Sequence, residues 1–119
     1  MQRFEDIRAW QEARKLTKRV YELSAADPFV KEHLLRDQLV GAALSSMTLI
    51  AAGSCCSSEE DLFRKLESAQ QSLVKVQSLL YTALDLGYIG PDVLRDHYEQ
   101  ADRTRALIDD LCMDLQRGN

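Results

Sequence analysis

Apolar residues recur along this chain at steps of three and four, a pattern that predicts helices and no strands. Ala9, Ala13, Leu16, Val20 and Leu23 form the first stripe and place a helix over residues 6–24. Asp27-Pro28 ends it and opens a second, with Asp27 as N-cap and Pro28 at the first helical position. That second helix covers residues 28–52 and changes character midway. VKEHLLRDQ is amphipathic, whereas LVGAALSSMTLIAA is apolar or small all round and is expected to be enclosed by neighbours. Gly41 with Ser45, and Ala42 with Ser46, would admit another backbone closely; Gly53 would be a left-handed stop.

The third helix has the most regular pattern. Leu62, Leu66, Ala69, Leu73, Val76, Leu80 and Ala83 alternate steps of four and three, a 3.5-residue period that implies left-handed, shallow-angle packing. Ser57 with Glu60, or Ser58 with Asp61, has capping-box spacing at its start. At its end Gly87 suits a left-handed cap, with Tyr88 or Ile89 folding back. Gly90-Pro91-Asp92 opens the fourth helix, whose inward stripe is Leu94, Tyr98, Ala101, Thr104, Ile108, Leu111 and Leu115, and Gly118 and Asn119 close it. Short connections between long helices force antiparallel neighbours. The expected fold is all-α: one domain, residues 1–119, forming an antiparallel up-down-up-down, left-handed four-helix bundle.

Composition leaves that picture intact and narrows the function. With 119 residues, 45% of them hydrophobic and 29% charged, the chain is long enough for one core and too apolar for disorder. Residues 38–58 carry no charge, but glycines and serines dilute the run and no aromatic or basic anchors flank it. A core helix is expected there, and no membrane partner. MQRFEDIRAW is charged from its third residue, unlike a secretory signal, and three cysteines point to free thiols in a reducing cytoplasm. A net charge of −4 opposes broad attraction to nucleic acid.

Few residues carry candidate chemistry. Cys55, Cys56, Cys112, His33 and His97 lack the spaced pairs that tetrahedral zinc or a redox couple needs. No Gly-rich phosphate loop or nucleophile elbow is present, and Leu94-Arg95-Asp96-His97 lacks the Glu of a di-iron motif. No catalytic residue, cofactor or metal is expected. Residues 1–25 hold six basic and four acidic side chains, so the first helix is locally positive. Arg8, Arg14, Lys15, Lys18 and Arg19 form an arc opposite its apolar stripe, either a solvated face or a weak phosphate-contacting strip. Trp10 and Tyr21, eleven residues apart, share one azimuth at the stripe's edge, where they are core or a subunit contact.

Together, several segments resemble the four-helix bundle proteins encoded in intervening sequences of bacterial 23S ribosomal RNA genes. They are FEDIRAWQEA (residues 4–13), Tyr21, Pro28, Gln38, Ala42-Ala43, IAAG (50–53), Ser58, AQQSL (69–73) and DLGYI (85–89). The resemblance implies an up-down bundle, commonly a ring of five, with no established catalytic activity. A related bundle is an accessory to the reverse transcriptase of diversity-generating retroelements and contacts polymerase and nucleic acid. This chain departs from the family's pattern at Val40 and Gly41, where arginines are usual, and at Leu49, Ala52, Lys75 and Gln77. The loop after Gly53, often basic in the family, is Cys55, Cys56 and Ser57 here. These departures lead to the expectation that a buried polar network between the second and third helices has become apolar, so that a Glu at Ala52 would be strongly destabilising.

Two functional classes follow. One is a non-enzymatic cytoplasmic module that assembles with itself, as a pentamer by the resemblance, and presents a surface to a protein partner. The other is a nucleic-acid-binding accessory protein that uses the first-helix strip, which the acidic total disfavours.

Overall fold

The computed structural model describes residues 3–117. Four helices make up the bundle: α1 (Arg8–Ala25), α2 (His33–Ser54), α3 (Glu59–Asp85) and α4 (Pro91–Arg117). Two short 3₁₀ turns, Phe4–Asp6 and Phe29–Lys31, precede α1 and α2, and there is no strand among the described residues. Each helix packs on the next and α4 returns to α1, so the four stand at the corners of a square 49 Å long and about 20 Å wide. The anticipated stripes fill the centre: Ala13, Leu16 and Val20 of α1, Leu66 to Ala83 of α3, and Ala101, Thr104 and Ile108 of α4 are buried.

The helix ends show where local chemistry dominates. Ser58 caps α3 by accepting the Asp61 amide at 3.1 Å, the second of the two expected cap positions, while the Asp61 carboxylate pairs with Arg64 at 2.9 Å. Gly87 takes φ +80°; its amide reaches the Leu84 carbonyl at 3.0 Å, and that of Tyr88 reaches Ala83 at 2.9 Å. Ile89 then buries against the core. Pro91 is the first residue of α4. The anticipated end at Gly118 and Asn119 lies outside the described residues.

Four expectations need correction. First, α1 begins at Arg8 rather than residue 6, because Phe4–Asp6 winds as a 3₁₀ turn that sets the Phe4 ring edge-on to Trp10, centroids 5.0 Å apart. Second, α2 begins at His33, with Glu32 and not Asp27 before its first turn. The intervening turn draws Phe29 into the core against Tyr88, whose hydroxyl donates to the Glu32 carboxylate at 3.1 Å. Burying an aromatic ring outweighs the favourable start that Pro28 offered.

Third, Gly53 is no left-handed stop: it lies inside α2 and is buried. A Cβ there would sit 3.0 Å from Leu62 Cδ1 and 3.3 Å from Lys65 Cβ, so this glycine lets α2 and α3 touch. The close approach expected at Gly41 is absent, with nothing within 4 Å of a Cβ built there. Fourth, the uncharged half of α2 is enclosed on only part of its circumference. Leu39, Ala43, Ser46 and Ile50 are buried, while Leu44, Thr48 and Ala52 face solvent. Ala52 thus sits in no buried network, and the strong penalty expected for a Glu there does not apply.

Candidate assembly interface

The register of α1 against α2 is set by two hydrogen bonds. The buried Thr17 hydroxyl is shared between the Ala13 carbonyl of its own helix (2.8 Å) and the Ala43 carbonyl of α2 (3.0 Å). Further along, Arg36 Nε donates to the Ser24 carbonyl at 3.2 Å. Antiparallel helices pinned at 17 with 43 and at 24 with 36 bring Tyr21, one turn past Thr17, beside the Val40–Leu44 turn. Tyr21 is 42% exposed and Leu44 36%. The α1–α2 face therefore sets an exposed tyrosine beside Leu44, the start of an outer lane of α2, Leu44, Thr48 and Ala52, which carries no charge. A water-facing lane over successive helical turns without an ionic side chain is unusual on a solvated surface.

Trp10 and Tyr21 share an edge of α1 but not an environment. Trp10 is only 9% exposed, closed off by the Phe4 ring and by the Arg14 guanidinium 5.6 Å from its centroid. Among the two candidate interface aromatics, Tyr21 is the one at the surface.

The basic arc is likewise divided. Arg8, Glu12 and Lys15 line a groove of about 460 Å³ between α1 and α4, where Arg103 joins them from α4. Lys15 also pairs with Glu12 at 3.1 Å. Arg14 is spent on Trp10, Arg19 donates to the buried Gln100 of α4, and Lys18 stands exposed. Nothing in the local pattern around Arg103 marked it; only the packing of α4 on α1 brings it to this cluster.

The α3–α4 seam holds a polar arrangement that the period analysis missed. Gln77 Nε2 donates to the Tyr98 carbonyl (3.3 Å) and the Asp102 carboxylate (2.7 Å). One heptad away, Gln70 Nε2 donates to the Arg105 carbonyl (3.0 Å) and the Asp109 carboxylate (2.8 Å). Each amide thus clips a carbonyl and the carboxylate four residues further along α4. Arg105 ties the two clips by donating to Gln77 Oε1 at 3.2 Å. The signal was present as glutamines seven apart on α3 and aspartates seven apart on α4. Beside the clips, Val74 is 45% exposed and Tyr81 50%, the latter edge-on to Tyr98 with centroids 5.9 Å apart.

The remaining candidates are structural in their settings. His97 is buried, its Nδ1 2.8 Å from the Val93 carbonyl; burial holds the imidazolium below its ordinary pKa of 6.5, and the nearby Arg19 adds to the effect. His33 is exposed at the start of α2. All three cysteines are free, and burial pushes the Cys112 thiol up. Cys55 and Cys56 form the corner after α2, their amides returning to the Ala52 and Gly53 carbonyls at 3.2 and 3.1 Å. Among the described residues no group of three His, Cys, Asp or Glu side chains could hold a metal ion, and no helix is long and apolar enough to cross a membrane.

A family model described as 23S rRNA-intervening sequence protein matches residues 5–110. Among solved structures, a protein of unknown function from the S23 ribosomal protein family of Bacteroides thetaiotaomicron superposes with a TM-score of 0.80. It is 15% identical, with 87% of this chain and 97% of that one covered, a likeness of fold. No curated protein matches.

Proposed function

This chain belongs to the 23S rRNA-intervening sequence protein family, and from that premise we propose that it is a non-enzymatic bundle that assembles with copies of itself. In this reading the number is five, as the family resemblance suggests, and the assembled surface serves a protein partner in the cytoplasm. The observation that carries this reading is the uncharged outer lane of α2 beside exposed Tyr21. Such a lane gains by being covered, at roughly 25 cal/mol per Å² of apolar surface, and desolvates no charge in the process. Light scattering at micromolar concentration is the test. It should return the mass of several copies, whereas the mass of one copy would end the proposal.

A second reading, nucleic-acid binding, is favoured by the meeting of Arg8 and Lys15 with Arg103 across the α1–α4 groove. It requires binding to RNA or DNA that weakens steeply with added salt and is lost when these three become glutamate. Absence of binding at low salt would remove it.

A further inference from the structure

The corner between α2 and α3 carries two adjacent free thiols, Cys55 and Cys56. α2 ends at Ser54, and the α3 ladder starts at the Ser58 carbonyl, which accepts the Leu62 amide at 3.1 Å. Residues 55–57 therefore belong to the interior of neither helix, and they can change conformation without unwinding α2 or α3.

The two thiols differ in setting. Cys55 is exposed, so an oxidant reaches its sulfur directly from solvent. Cys56 is half-buried: its S–H donates to the Ala52 carbonyl at 3.4 Å, and it lines a cavity of about 320 Å³ with Leu49, Asp61, Arg64, Lys65 and Ser68. Charges around the corner are of both signs, Glu59, Glu60 and Asp61 against Arg64 and Lys65, and Arg64 already pairs with Glu60 and Asp61. An anionic disulfide such as oxidised glutathione gains no attraction there, whereas a small neutral oxidant meets no barrier. Cys112, the third thiol, is half-buried on α4, where burial pushes its pKa up and slows its reaction.

We propose that Cys55 and Cys56 form a reversible oxidation site for hydrogen peroxide, closing to a disulfide between neighbouring residues. The Cys55 sulfur attacks the peroxide. Its S–O bond forms as the O–O bond breaks, and the released hydroxide takes the thiol proton to become water. Cys56 then turns from the Ala52 carbonyl and attacks the Cys55 sulfenic acid. The S–S bond forms, the S–O bond breaks, and hydroxide leaves with the Cys56 proton as a second water. Two thiols lose two electrons and one peroxide gains them. Adjacent Cα atoms lie about 3.8 Å apart, short of the roughly 4.4–6.8 Å that ordinary bridges span, so this bond is easily reduced. A thiol pool such as glutathione therefore restores the pair. The site is a sensor and not a staple, closing and opening at the end of α2 where Gly53 meets Leu62 and Lys65.

The test gives the full chain a stoichiometric pulse of hydrogen peroxide, alkylates the remaining thiols with iodoacetamide and weighs the tryptic fragments. Residues 37–64 form one fragment holding both cysteines, and Cys112 lies on another, residues 106–117. Fragment 37–64 should refuse both alkyl groups and weigh two hydrogens less, then accept both groups after incubation with glutathione. Fragment 106–117 should be alkylated throughout, and Cys112→Ser should behave as the unaltered chain with helical content kept. In Cys56→Ser the Cys55 sulfenic acid has no neighbour to close on and should be captured by dimedone; Cys55→Ser should give several-fold less capture. Fragments 37–64 and 106–117 joined to each other, or 37–64 joined between copies, would overturn the adjacent pairing. Full alkylation of 37–64 at a peroxide dose that consumes free cysteine would dismiss the site altogether. Equal dimedone capture in the two single variants would contradict Cys55 as the thiol that meets peroxide first.

Discussion

The two edges of α3 are built in different ways. On the edge facing α2, Gly53 leaves just enough room for the Leu62 and Lys65 side chains, and the contact there closes on apolar atoms. On the edge facing α4, two glutamine amides one heptad apart reach across to carbonyls and carboxylates. The first edge gains by proximity, which any small residue partly supplies and any large one destroys. The second gains by direction: each clip is satisfied at one axial register, the role that buried polar groups play in specifying helix pairing. One helix, with one uninterrupted apolar stripe, thus carries a sliding contact on one side and an indexed contact on the other.

The sharpest way to break that contrast is to alter each edge alone. Gly53→Val should destabilise by about 1–3 kcal/mol through overpacking against Leu62 and Lys65. Gly41→Ala, on the open side of the same helix, should stabilise by about 0.5–1 kcal/mol. Thermal or urea unfolding reads both, and equal signs would refute the close approach at Gly53. On the other edge, Gln77→Ala leaves Arg105 with only its 3.8 Å pairing to Asp102 and deprives Asp102 of its amide donor, for a loss of about 1–3 kcal/mol. The same measurement should find Gln70→Ala in that range and non-additive with Gln77→Ala, since Arg105 bridges both clips.

The α1–α4 seam adds a smaller, pH-dependent effect. His97 is held neutral by burial, and the unfolded chain protonates it more readily. Its contribution is therefore fully present above about pH 6.5 and is lost as pH falls below that value towards the lowered folded pKa. His97→Gln should flatten this part of the stability profile, measured as urea midpoints across the acid side of neutrality. An unchanged slope would mean the ring titrates as if exposed. The smallest effect is expected at Ala52→Glu, within about 0.5 kcal/mol in the isolated chain because the position faces solvent.

That last residue shows how far the sequence could be read. Periodicity located every helix and the buried stripe of α3, because a heptad pattern depends only on residues a turn apart. Gly87 and Ser58 were legible for a similar reason: their partners lie within a few residues. Gly53 was not, since a glycine that stops a helix and one that admits a neighbour look alike until Leu62 is placed across from it. Phe29 hid the true start of α2 because its partner, Tyr88, is far along the chain. The charge-free run of α2 announced that something covers it, but one chain covers only part of the circumference, and the remainder is the candidate site. Gln77 was expected to look towards α2 and looks towards α4 instead, and Gln70 and Arg103 take their roles from α4 and α1, partners that no local pattern supplies.

The central claim is that this uncovered lane of α2 is where copies of the chain meet. It is tested most directly by comparing the solution mass of the unaltered protein with that of Leu44→Glu at the same micromolar concentration, with helical content monitored in both. The account predicts several copies for the first and one for the second, each fully helical. Equal masses for the two proteins would contradict it.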